Sequence, residues 1–357
     1  MIARMPGSPS RRDLWLRGLR PSFLVKDLGG LAMYYPGQAL VNRLSSSHLD
    51  RLAGLGGGIV RALGDEAMRA ELRAIYAGRS MPRAEDEILR DAFRLTLYNE
   101  LEVLRYPWLS PSTIEQVCVV EGREHLDAAL AKGRGAIVMI GHFGANQMIM
   151  PALGHLGYRM AQLSAPPPVW GEILRDSRTT PLWEKTLERR WQLEKRLPVK
   201  HVNVFRFLRP AFEILQAHGV LGLAFDGGGG KKWVQVDLLG RRANLSVQPA
   251  QIWKKSGAVL LPTLVTRRPG EARHRVVITE PLDWRGTVEA SMQALAGRFE
   301  QWVWSQPEQY LHFLTMRRKV RGTDVFPLFC DYPPAAVQLD SAQAEERLRR
   351  AGEWREG

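Results

Sequence analysis

Between Glu85 and Arg105 the apolar residues Ile88, Leu89, Ala92, Phe93, Leu95 and Leu97 fall close to helical spacing, which predicts an amphipathic helix. Residues 1–110 as a whole read as helical and connecting segments. After residue 117 the pattern changes. Short runs at Val117–Val120, Ala136–Ile140, Val220–Phe225, Val234–Leu239, Val259–Thr266 and Arg275–Thr279 are rich in small and β-branched residues, as buried strands are. Helix-like segments at Arg123–Ala131, Phe207–Ala217, Gln248–Ser256 and Val288–Trp304 fall among them. This alternation predicts an α/β core over residues 111–330, with helices flanking a mixed central sheet. An N-terminal helical region (1–110) precedes it, and a polar tail (331–357) follows. Within the tail, Ser341–Gly357 is expected to form an exposed helix or to fray.

No run approaches the roughly 18–20 consecutive apolar residues that a membrane-crossing helix needs. Near the start, Arg11, Arg12, Arg17 and Arg20 interrupt the apolar stretch that a secretory leader would require. Leu14, Trp15, Leu16 and Leu19 interleave with those arginines. The mixture suits a short helix lying among lipid headgroups, or a basic leader packing its apolar residues on the domain. A formal net charge of +13 favours polyanionic partners such as anionic lipid, phosphorylated donors or nucleic acid. No helix-turn-helix, zinc-finger or aromatic RNA-binding signature accompanies it, so no specific nucleic-acid partner is expected. Cys118 and Cys330 are the only cysteines, too few for a disulfide scaffold or a cysteine zinc site. They fit a reducing, cytoplasmic compartment.

The stretch Ile140-Gly141-His142-Phe143-Gly144-Ala145-Asn146-Gln147 carries the most chemical information. A buried strand is predicted to end at Ile140, with a helix-like run continuing through Met148, Met150 and Leu153. That sets His142 at the carboxyl end of a strand, where open α/β sheets place their chemistry. An imidazole titrates near neutrality, so it can deprotonate a hydroxyl or amine and later protonate a leaving group. Glycine on either side lets backbone approach a substrate, and N–H groups near Gly144 are candidates to hold an oxyanion. A structural histidine in a glycine turn is the plainer alternative.

These residues resemble the signature Gly-His-x-Gly-x-x-Glu of the bacterial lysophospholipid and lipid A-type acyltransferases. Further blocks resemble that family in order: Phe225-Asp226-Gly227-Gly228 through Val236 to Ala243, then Gln248-Pro249-Ala250, Ser256-Gly257-Ala258 and Leu261-Pro262. The last is Glu300 to Trp304 through Arg317-Arg318-Lys319. The likeness covers roughly residues 20–322. It implies a glycerolipid acyltransferase-like fold, His142 as general base, and acyl carrier protein or acyl-coenzyme A as co-substrate with no resident cofactor or metal. It also implies a lipid or specialised-metabolite acceptor and peripheral attachment to the cytoplasmic face of the inner membrane, on an anionic surface.

The chain departs from the signature at Gln147, where the family has an acid. Glutamine can orient an imidazole but cannot neutralise an imidazolium. Three readings follow: another acid, best Asp226, supplies the charge; the acceptor is an amine or thiol needing less help; or the protein binds acyl chains without transferring them. Gly144 and Asn146 are candidate substrate contacts. Lys231, after the glycines 227–230, is a candidate for a phosphate or phosphopantetheine arm, against a plain flexible loop. In the basic stretch from Arg175 to Lys200, the resemblance implies a headgroup-positioning arginine, with Arg178 and Arg189 as candidates. A solvated charged face is the alternative. His155, His201, His218, His274 and His312 lack metal-ligand spacing, and Ser164, Ser246 and Ser256 lack the hydrolase elbow.

Overall fold

The computed structural model describes residues 9–175, 177–230, 232–318, 326–332 and 341–355. Its strands are β1 (Cys118–Glu121), β2 (Ala136–Ile140), β3 (Met160–Ser164), β4 (Lys200–Asn203), β5 (Val220–Ala224), β6 (Trp233–Leu238), β7 (Arg241–Ser246), β8 (Val259–Thr266) and β9 (His274–Ile278). Among the described residues, seven of these form one sheet in the order β1-β9-β8-β2-β5-β3-β4. From β8 to β4 the strands run parallel. β9 turns back antiparallel to β8 and pairs with β1 in parallel, so the sheet is mixed. All five residues of β2 are buried, which is why its sequence is an unbroken apolar run.

β3 and β4 were not legible as strands. Gln162, Ser164, Lys200 and His201 interrupt their apolar pattern, and the ladder from β5 to β3 to β4 supplies what local sequence does not. The run at 234–239 also differs from expectation, because it stays outside the main sheet. It pairs with β7 as an antiparallel hairpin, with Val234, Val236 and Leu238 buried and Gln235 and Asp237 exposed. That alternation is the mark of a strand wet on one face.

The predicted amphipathic helix spans Glu85–Val103 and joins two cores. Ile88, Leu89 and Ala92 pack with Ile137 and Met139 of β2, whereas Tyr98 and Leu101 pack with Tyr34, Leu49, Ala53 and Leu193. The tail helix Ser341–Glu353 corrects the expectation of an exposed or frayed end. Ala351 is buried against Val169 and Ile173, its carbonyl accepts from Asn203 Nδ2 at 2.9 Å, and Trp354 meets the Trp191 ring edge to face. Among the described residues, no helix is long and apolar enough to cross a membrane.

One buried charge cluster fastens the N-terminal helices to the sheet. The Arg267 side chain, just past β8, is 1% exposed and donates to Asp50 of the helix Ser46–Ala62 at 3.1 Å. Its guanidinium lies over the Tyr98 ring, 3.6 Å from the centroid. Arg94 also pairs with Asp50, and the Gly270 N–H donates to it at 3.1 Å. Removing the carboxylate strands a buried guanidinium, so Asp50→Ala should destabilise the fold by about 3–5 kcal/mol in urea unfolding.

Candidate active site

The parallel register of β2 and β5 sets Ile140 opposite Ala224, and the Phe225 N–H continues the ladder to the Ile140 carbonyl at 3.0 Å. Two residues beyond that pair, His142 and Asp226 leave the carboxyl edge of the sheet side by side. His142 Nδ1 lies 2.7 Å from Asp226 Oδ1, and the His142 backbone N–H donates to Oδ2 at 2.8 Å. The Tyr310 hydroxyl donates to the same Oδ2 at 2.9 Å. An ionised carboxylate only accepts, so in the neutral ring Nδ1 carries the proton and Nε2 holds a free lone pair. The His142 side chain is 37% exposed, while Asp226 is fully buried. Phe313 stacks flat on the imidazole, centroids 4.3 Å apart and planes 3° from parallel.

The glycines of the turn are required by close approach. Gly144 has φ +58°, and a Cβ there would stand 2.1 Å from the Val265 carbonyl oxygen. A Cβ on Gly141 would meet the Phe299 ring at 2.4 Å. Phe299, on the helix Val288–Ser305, floors the site by packing its ring against Phe143, Phe225 and Tyr310.

Two expectations are corrected here. The Gly144 N–H donates to the Gln309 carbonyl at 2.8 Å, so it is committed to the fold and is not an open oxyanion donor. Gln147 is not the partner that the ring Nδ1 meets. Its Oε1 accepts from Arg190 at 2.9 Å, and Arg190 also binds Glu100 and Glu194, each at 3.0 Å. Asn146 opens the short 3-10 turn Asn146–Met148. Arg189 directs its guanidinium to Gln38 Oε1 at 2.5 Å and to the Tyr34 carbonyl at 3.5 Å, so its neighbour Arg190 is the arginine that reaches the histidine turn. Arg178 sits where its carbonyl accepts from Lys26 Nζ at 3.1 Å. Lys231 lies outside the described residues.

Sequence reasoning missed Gln309, Tyr310 and Phe313. Tyr310-Leu311-His312-Phe313-Leu314 reads as core helix, and no spacing connects it to residues 84 or more positions earlier. Arg190 was hidden beside Arg189 for a similar reason: which of two adjacent arginines faces inward depends on how the helix Pro181–Glu194 docks.

The sequence model of the bacterial lipid A biosynthesis acyltransferase family matches residues 20–319, well over half of the chain. The chain belongs to this family. Phosphatidylinositol mannoside acyltransferases from two strains of Mycobacterium tuberculosis are each 29% identical over 218 residues, covering 58% of this chain. The chain spans 63% of the length of those relatives. Among solved structures, the 1-acyl-sn-glycerophosphate (LPA) acyltransferase PlsC from Thermotoga maritima aligns with 74% of this chain and 96% of its own. Identity there is 15% and the TM-score is 0.32, a likeness too distant to transfer residues. His142 and Asp226 both fall inside the family match, as do the corrected residues Gly144 and Gln147.

Burial by itself would raise the Asp226 carboxyl. The His142 charge outweighs it together with the hydrogen bonds from the His142 ring, its backbone and Tyr310, and the carboxyl is held below the ordinary 3.8. A carboxyl lowered on folding stabilises the native state above its unfolded pKa, and that contribution is lost as pH falls through the folded value. Asp226→Asn should therefore reduce stability near neutral pH. In urea unfolding, its deficit against the wild type should shrink as pH falls below 3.8.

Proposed function

We propose that the protein is an acyltransferase that carries a fatty acyl chain from acyl carrier protein or acyl-coenzyme A to a hydroxyl or amine of a lipid or specialised-metabolite acceptor. The contact between His142 Nδ1 and the buried Asp226 carboxylate carries this reading, and family membership supports the reaction class. Nε2 of His142 takes the acceptor's proton as its oxygen or nitrogen attacks the thioester carbonyl. The new bond to carbon forms, the carbon–sulfur bond breaks, and the departing thiolate receives the proton from the imidazolium. Asp226 offsets the imidazolium charge while that ion exists. Gln147 taken alone favours an acyl-chain-binding protein without turnover. The Asp226 contact favours turnover over that alternative, since a carboxylate at position 226 supplies the charge that position 147 lacks.

The same reading places the N-terminal helices against the cytoplasmic face of an anionic membrane. Leu14 is buried and anchors the helix Arg11–Gly18, while Trp15, Leu16 and Leu19 stay exposed beside Arg11, Arg12 and Arg20. Leu24, Val25 and Leu28 extend the exposed apolar residues along the helix Pro21–Ala32, and Leu55, Ile59, Val60 and Leu63 are likewise exposed on Ser46–Ala62 and at its end. Apolar side chains among cations suit insertion among anionic headgroups. Burial chiefly holds Lys26 below the ordinary 10.5, against the opposing pull of its ion pair with Asp27. Lys26 Nζ donates to the Arg178 carbonyl at 3.1 Å, which sets Arg178 beside that cation and supports it as a headgroup contact.

Palmitoyl-acyl carrier protein and palmitoyl-coenzyme A, offered with a membrane-lipid extract, test the chemistry. Wild-type protein should form acylated product. His142→Ala and Asp226→Asn should each lose at least about 100-fold in kcat, and Gln147→Glu should give no gain. Absence of product from the wild type, with acyl-chain binding retained, would leave only the binding reading. Attachment is read separately by co-sedimentation with vesicles. Binding to phosphatidylglycerol vesicles should fall with added salt, should be weak on phosphatidylcholine vesicles, and should drop several-fold in Trp15→Glu combined with Leu16→Glu.

A further inference from the structure

One short segment touches the site at three places. The Gln309 carbonyl accepts from the Gly144 N–H at 2.8 Å, the Tyr310 hydroxyl donates to Asp226 at 2.9 Å, and Phe313 stacks on His142. The segment is itself held firmly. Gln309 Nε2 donates to the Arg267 carbonyl at 2.5 Å, and Tyr310 is fully buried with its ring edge-on to Phe299 at 5.1 Å. None of these contacts is needed to close the helix Leu311–Arg317, whose own backbone bonds begin at Tyr310.

We propose that Tyr310 is a positioning residue that sets how strongly Asp226 holds the His142 ring. This rests on the reading of His142 as the base. Among the described residues, both donors other than the ring converge on Oδ2, which leaves Oδ1 to Nδ1. The backbone N–H belongs to His142 itself and cannot be tuned by side-chain change. Tyr310 is the side-chain donor on that oxygen, and each share of carboxylate charge it draws is withdrawn from the imidazole. Burial, and then the Asp226 charge, push its hydroxyl well above the ordinary 10, so it stays a neutral donor throughout the working range. Arg317 and Tyr332 also act on Tyr310, and both are present in every protein compared below.

The test grades the donor in the full chain. Tyr310→Phe removes it, and 3-fluorotyrosine incorporated at position 310 strengthens it with almost no change of shape. In Tyr310→Phe the acidic limb of the kcat/KM profile with palmitoyl-coenzyme A should move to higher pH by roughly half a unit to one unit. The low-field proton resonance of the His142 Nδ1–H should move further downfield. Fluorotyrosine should shift both readouts the opposite way, and it decides the matter alone if Tyr310→Phe does not fold. Identical limbs and resonances across the three proteins would overturn the proposal, because a tyrosine that only packs would change stability and nothing else. If the wild type shows no turnover, the acyltransferase reading fails, yet the proton resonance still judges Tyr310.

Discussion

A carboxylate removed from water must receive from the protein the hydrogen bonds it gives up, and Asp226 receives three. Much of the surrounding architecture follows from that requirement. One donor is the backbone of the residue whose ring supplies the second, so Asp226 holds the main chain and the imidazole of His142 together. The third reaches it from a segment 84 residues further along the chain. The aromatic floor of Phe299, Phe225 and Phe143 keeps water from the carboxylate, which makes those donors necessary and strengthens each of them.

That arrangement also gives a physical account of the glutamine at position 147. Arg190 already faces two carboxylates, Glu100 and Glu194, in a partly enclosed cluster. A third acid at position 147 would add to the negative charge of a cluster that already sets two carboxylates against one guanidinium, whereas an amide oxygen accepts the guanidinium N–H without adding any. Position 147 thus ties the histidine turn to the helix Pro181–Glu194, and that helix packs against the N-terminal helix Pro21–Ala32. The turn bearing His142 is consequently braced on one side by the amino-terminal region and on the other by the segment around Tyr310.

Strands that are buried on both faces were legible because burial demands a continuous apolar run, as in Ala136–Ile140 and Val220–Ala224. The helix at Glu85–Val103 was legible because it shows one apolar stripe. Short strands with polar residues, such as Lys200–Asn203, were not, since their conformation comes from a neighbouring ladder. The same limit applied to the tail helix. Its composition is polar, and what makes docking favourable lies elsewhere in the chain, in Val169 and Ile173 opposite Ala351, Asn203 at its carbonyl and Trp191 against Trp354.

The histidine, its glycines and the strand that carries them were determined by local sequence, because an unbroken apolar run marks a buried strand and the glycines mark the turn that leaves it. Asp226 was legible as the best substitute acid, but not as the partner that meets the ring. Its selection depended on β5 lying beside β2 in parallel and in register, a pairing between residues more than 80 positions apart that no local pattern encodes. Tyr310, Phe313 and Arg190 were beyond sequence reasoning altogether. Their side chains look like ordinary core and surface residues, and the packing of distant elements alone decides which of them face the histidine.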